Sequence, residues 1–158
     1  MPRPRFIVDM NVGKLAPWLR ALGYDTLFIN PIDDGDLVRI AQEQQRIVLT
    51  KDAGILERRV VTSGAVTVLW IESIERLQQL KQVVEHFKLN REHEFTRCVE
   101  CNTLLQPASS EEAKRHVPPR SAAVHDAYWY CPHCRQYFWQ GSHWTRMTRV
   151  FDSLLPAN

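Results

Sequence analysis

No apolar run in this chain approaches the ~18 residues that a membrane-crossing helix needs. Strong charge of either sign is also missing. Lys and Arg number 20 against 18 Asp and Glu, a net charge of +2. That balance is too even to attract a polyanion as a whole, so a nucleic-acid contact would need a local patch. Neither GxGxxG nor GxxxxGKS/T follows the first strand-like run, where Asp9-Met10-Asn11-Val12-Gly13 stands instead, and this disfavours a nucleotide cofactor. The N-terminal stretch enters a strand-like run directly, without the apolar core of a signal peptide, so a cytoplasmic location is expected. Cysteine is scarce but not scattered. Its four copies fall as Cys98-Val-Glu-Cys101 and Cys131-Pro-His-Cys134, both in the last two-fifths of the chain. In a reducing compartment such thiols persist as metal ligands rather than as disulfides.

The chain before the cysteines alternates between two hydrophobic periods. Phe6 to Asp9, Thr26 to Ile29, Ile47 to Thr50 and Ala65 to Ile71 read as strands. Between the first two, Leu15, Trp18, Leu19 and Leu22 mark one helical face, with Gly23 as its stop. Further helices are expected from Leu37 to Gln44 with Asp36 as N-cap, around Ile55 to Val61, and from about Ser73 to Phe87. This β-α-β-α order predicts an α/β fold, a parallel sheet flanked by helices. The expected division is a domain over residues 1–90 and a module over residues 91–158.

Parallel sheets gather functional groups at the carboxyl ends of their strands. Asp9 and Asp52 end the first and third strands, and Asp36 follows the second. Three clustered acids repel one another unless a cation compensates, and an all-oxygen donor set suits Mg²⁺ or Mn²⁺. Such an ion supports phosphodiester cleavage. A second reading stands beside this one, in which each Asp is a turn former or helix cap. Asn11 either supplies a neutral oxygen or shapes the turn. Lys14, Arg20, Lys51, Arg58 and Arg59 either line a phosphate track or face solvent. Asp25 precedes its strand and should lie at the opposite end of the sheet.

Two CxxC turns complete a tetrahedral Cys₄ site, so Cys98, Cys101, Cys131 and Cys134 are expected to hold a structural zinc. The long interval between the pairs reads as an excursion holding Glu111 to Arg115 and the Pro118-Pro119 break. After the second pair, Tyr137, Phe138, Trp139 and Trp144 lie among Arg135, Arg146 and Arg149. They suit either stacking on unpaired bases or the core of a small module. Ser142 is the expected cap of a final helix, which leaves His143 exposed in its first turn.

Phe6-Ile7-Val8-Asp9, the stretch from Gly13 to Thr26, Leu49-Thr50-Lys51-Asp52, both CxxC pairs and the Tyr137-x-Trp139-x-Gly141-Ser142-His143 ending together resemble the Mut7-C family. This is a PIN-like nuclease domain followed by a Cys₄ zinc ribbon. The resemblance implies a ribonuclease, with Asp9, Asp36 and Asp52 as catalytic acids around Mg²⁺ or Mn²⁺ and RNA as partner. It places Lys14 and Arg20 at basic positions of the first helix. Lys51, Arg59 and His143 are further candidates for RNA contact. Glu72, after the fourth strand, is the nearest candidate for the fourth acid usual in PIN nucleases. The competing function is a non-catalytic RNA- or ribosome-binding adaptor on the same fold.

Overall fold

The computed structural model describes residues 2–155. Four short strands, β1 (Phe6–Val8), β2 (Thr26–Leu27), β3 (Ile47–Thr50) and β4 (Val68–Trp70), form a fully parallel sheet in the order β2-β1-β3-β4. Helices α1 (Leu15–Ala21), α2 (Asp34–Gln44), α3 (Ala53–Leu56), α4 (Arg59–Thr62) and α5 (Arg76–Phe87) make the crossovers. The expected α/β sheet flanked by helices is therefore present. Strand β3 spans the residues read from sequence, while β2 and β4 are shorter than their apolar runs.

Side chains alternate across the strands with a period of two and separate two cores. Phe6, Val8 and Leu49 point to the face covered by α1 and α5, with Leu15, Leu19, Leu80 and Val83. Ile7 and Val48 point the other way, against Leu37, Val38 and Ala41 of α2 and Ile55 of α3. Phe6, Ile7 and Val8 are wholly buried, as expected of a central strand covered on both faces. At the end of α1, Gly23 takes a φ of +89°, and a Cβ there would lie 2.1 Å from the carbonyl oxygen of His93. The chain after α5 can approach α1 only because this residue has no side chain.

Beyond residue 90 lies an antiparallel sheet in the order β5 (Gln106–Ala108), β6 (Tyr128–Cys131), β7 (Gln136–Phe138). The excursion between the cysteine pairs forms α6 (Ser110–Lys114) and α7 (Pro119–Val124). The last helix, α8 (Ser142–Leu154), does not pack with this sheet alone. Its Met147 and Phe151, with the following Leu155, join the core of the first sheet, and Phe151 meets Trp18 edge-on at 5.8 Å. The last helix thus packs across the expected division at residue 90. Ser142 is the first residue of α8 rather than its cap; Gly141 holds the cap position without a side-chain bond.

A polar node joins the two sheets. Asp25 lies before β2, as expected, and accepts hydrogen bonds from Arg46 Nη1 at 2.8 Å and from Asn102 Nδ2 at 2.7 Å. Asn102 Oδ1 also accepts from the Thr26 backbone N–H at 2.9 Å. Arg20, expected to contact substrate, is instead buried. Its Nε donates to the Thr26 carbonyl at 2.9 Å and its Nη1 to the Val99 carbonyl at 3.0 Å. Burial lowers its pKa, opposed by the nearby Cys101 and Cys98 thiols. Arg20 is a strut between α1, β2 and the first cysteine turn. Among the described residues, no helix is long and apolar enough to cross a membrane.

Burial works to raise the Asp25 pKa, but hydrogen bonds from Arg46 and Asn102 outweigh it and hold the carboxyl below its ordinary value. A depressed folded pKa contributes stability that is complete above the unfolded carboxylate range and is lost as pH falls through the folded value. Asp25→Ala leaves the Arg46 guanidinium, 6% exposed, without its counter-charge. We expect a loss of about 3 kcal/mol in denaturant unfolding at neutral pH. The variant should also lose part of the wild-type stability change on acidification. An unchanged midpoint and an unchanged acid profile would show that the node contributes nothing.

Candidate metal centres

The strand order reverses between β1 and β3, and an open parallel sheet leaves its crevice at that point. Asp9 ends β1 there and Asp52 follows β3. Asp9 is buried, and both its oxygens are held: Oδ1 accepts from the Met10 N–H at 2.8 Å and Oδ2 from the Thr50 hydroxyl at 2.7 Å. The Thr50 hydroxyl also accepts from the Asp52 N–H at 2.9 Å, so one side chain sets the geometry of both acids. Asp52 caps α3 through Gly54 N–H at 2.8 Å. Cap and site are here the same residue, and the two readings of these acids are not exclusive.

The third carboxylate is Asp34. Oxygens of Asp9, Asp34 and Asp52 lie within 4.8 Å of one another. Asp36, the acid expected here, lies outside this group: its side chain is half-exposed and pairs with Arg39 at 3.3 Å. The physical reason is the start of α2. Asp33, not Asp36, is the N-cap and accepts from the Asp36 N–H at 2.7 Å. The helix therefore begins three residues earlier, with Asp34 at its first position and Asp36 turned outward. Asp33 three residues before Asp36 is the spacing of a capping box, the signal that places the helix start.

Burial raises the Asp34 pKa first, followed by the charge and hydrogen bond of Asp52 and the charge of Asp9; Arg58 opposes them. These causes are the signature of acids crowded without a compensating cation. The donor set is all carboxylate oxygen, which fits a hard divalent ion.

The basic candidates are dispersed. Lys51 Nζ donates to the carbonyls of Ile71, Glu72 and Ser73 at 3.1–3.2 Å, so its ammonium ties down the end of β4 rather than facing a phosphate. Glu72 itself is exposed and outside the acid group. Arg59 is exposed on α4; its neighbour Arg58 is the residue whose charge reaches Asp34. Lys14 is exposed and lines a groove that includes Met10 and Asn11, next to Asp9. Asn11 Oδ1 accepts from the Lys51 N–H at 3.3 Å, which ties the loop after β1 to the loop after β3. His143 is exposed in the first turn of α8, on a groove of the second sheet.

The four cysteines converge as expected, with Sγ atoms within 4.8 Å of one another. Cys101 and Cys131 stand 3.4 Å apart, Cys98 and Cys134 3.9 Å. A tetrahedron with zinc–sulfur bonds of ~2.3 Å has edges of about 3.8 Å, so these thiols fit zinc. In each turn the residue after the second cysteine takes a left-handed conformation, Asn102 at φ 77° and Arg135 at φ 58°. Burial pushes the Cys98 thiol up to about 11. Burial also acts to raise Cys101, but hydrogen bonding to Thr103 overrides it and draws that thiol down to about 6. Metal uptake by such a cluster must release protons, so it weakens on acidification.

A family model described as the Mut7-C RNAse domain matches residues 4–151. The chain belongs to that family. Searches of curated proteins and of solved structures returned no match.

Because the folded state raises the Asp34 pKa, the metal-free protein gains stability as pH falls through that value and loses it as pH rises. Asp34→Asn should therefore raise the melting temperature of the metal-free protein near neutral pH and diminish the gain on adding Mn²⁺. Asp36→Asn, which breaks only an exposed, solvent-screened pair with Arg39, should keep that gain in full. Equal Mn²⁺ responses in the two variants would overturn the assignment of Asp34. For the cysteines, metal analysis should find zinc, and Cys131→Ser or a strong chelator should remove it and unfold the second sheet.

Proposed function

We propose that this member of the Mut7-C RNAse domain family is a metal-dependent ribonuclease that cuts RNA internally at Asp9, Asp34 and Asp52. The observation that carries the reading is the convergence of these carboxylates within 4.8 Å at the switch point of the sheet. Mg²⁺ or Mn²⁺ is the proposed ion, since every donor is a hard oxygen. The chemistry such an ion supplies is orientation of a water and neutralisation of charge developing at phosphorus.

The side chains divide the remaining work. Asp9 is the fixed ligand, oriented by Thr50 and the Met10 N–H. Asp52 keeps an oxygen beyond its bond to Gly54. Asp34, at the start of α2, is the third carboxylate that would hold the ion. Arg58 offers a guanidinium to a phosphate beside the acids, and Lys14 continues the positive charge along the adjoining groove. Lys51 acts at one remove, through the β4 carbonyls. The zinc ribbon is structural and assists in holding RNA. Unpaired thiols at zinc-binding spacing suit a reducing compartment, which supports a cytoplasmic location.

Cleavage of an RNA substrate with Mg²⁺ or Mn²⁺ tests the reading. Wild type should cut and be inhibited by a chelator. Asp9→Asn and Asp34→Asn should each lose about a hundredfold or more in rate, and Asp36→Asn should stay near wild type. Tight RNA binding without any cleavage would instead establish the adaptor function. Full activity in Asp34→Asn would refute the site.

A further inference from the structure

The ribbon carries more aromatic surface than its own core uses. Tyr128 is buried there, with Tyr137 and Trp139 packed against it. Trp129, Phe138 and Trp144 belong to none of the three hydrophobic clusters, although each is half-buried. Trp129 and Phe138 are register partners on β6 and β7, so their side chains stand on one face of the sheet. Trp144, in the first turn of α8, faces Phe95 with ring centroids 5.5 Å apart. All four rings line a cavity of about 660 Å³, within the ~300–1,000 Å³ of ordinary ligand sites.

The charge on this wall has one sign. Arg97 and Arg120 line the cavity beside the hydrogen-bonding rings of His125 and His143, and the one carboxylate among its described lining residues, Glu94, is already paired with Arg91 at 2.7 Å. Flat aromatic faces among cationic groups, with no free anion, match an unpaired nucleotide: a base to stack and a phosphate to neutralise. We infer that this groove seats unpaired bases of RNA, so that the substrate is single-stranded and anchored away from the cut. The inference rests on the ribonuclease reading for its choice of ligand.

The position of the groove supports the anchoring. Asn102 docks the ribbon at the amino end of β2, opposite the acids. Val99 lines the aromatic groove and also a second groove, of about 820 Å³, that extends to Met10 and Asn11 beside Asp9. Lys14 and Arg76 lie along that second groove with Glu100 and with Glu75, whose carboxylate is taken up as the cap of α5. A strand seated on Trp129 therefore has a path past Val99 into that second groove, toward Met10 and Asn11. A duplex does not, because its bases are stacked inside and offer no face to the rings.

The test is equilibrium binding by the full-length, zinc-loaded chain carrying Asp9→Asn, which keeps the RNA intact. The probes are a short unstructured RNA, the same RNA with abasic positions, and its perfect duplex. The unstructured RNA should bind at least about tenfold tighter than either competitor. Trp129→Ala should erase most of that difference. If Trp129→Ala loses zinc, the exposed double variant Arg120→Ala/His143→Ala decides in its place, with an expected loss of about tenfold. Equal affinity for all three probes, or either zinc-containing variant binding like its parent, would overturn the base-seat proposal. Preferential binding that disappears with Trp129, in a protein that never cuts RNA, would uphold the groove and refute the nuclease. Cleavage at the acids with no preference for bases would do the reverse.

Discussion

Mutual repulsion among Asp9, Asp34 and Asp52 is the constraint around which the first sheet is arranged. Like charges this close are unfavourable, and Asp34 registers the cost as a raised pKa. The fold holds them together through local devices. Thr50 fixes Asp9 and the Asp52 backbone with one hydroxyl, and Asp33 starts α2 at the residue that brings Asp34 in. Behind them, Phe6 to Val8 and Val48 to Leu49 are fully buried between two layers of helix. A wholly buried aliphatic or aromatic side chain is worth about 1.5–3 kcal/mol, enough in sum to hold three acids in a strained arrangement.

The opposite end of the sheet solves a different problem, the attachment of a small ribbon with little core of its own. Asp25 receives Arg46 from the first sheet and Asn102 from the first cysteine turn, and Arg20 bridges Thr26 to Val99. The helix α8 completes the attachment by placing Phe151 among Trp18 and Phe95. Polar node and returning helix fix the cysteine-bearing module against the first sheet. The aromatic groove beside Val99 thereby gains a constant position relative to the acids.

Periodicity made the four parallel strands and the helices between them legible in the sequence, and CxxC spacing did the same for both cysteine turns, because each of those signals is local. Asp9 and Asp52 were readable for the same reason, as carboxylates ending apolar runs. Asp36 reads from sequence as the cap and Asp34 as loop because helix starts depend on which of several acids caps, and in the fold Asp33 takes that position. The roles of Arg20 and Lys51 were hidden for a deeper reason. A basic residue near an acidic motif looks the same in sequence whether it meets a phosphate or a backbone carbonyl, and only the folded partners, Thr26 and Val99 or Ile71 to Ser73, decide. The packing of α8 against a sheet more than a hundred residues earlier is likewise non-local.

The central claim is that one divalent ion belongs among three particular carboxylates. Anomalous diffraction from a crystal soaked in Mn²⁺ addresses it without reference to any substrate. The account predicts a single strong peak bounded by Asp9, Asp34 and Asp52, distinct from the zinc peak at the cysteines and absent beside Asp36. No peak among the three acids at saturating Mn²⁺, or a peak held by Asp36 or Glu72 instead, would contradict it.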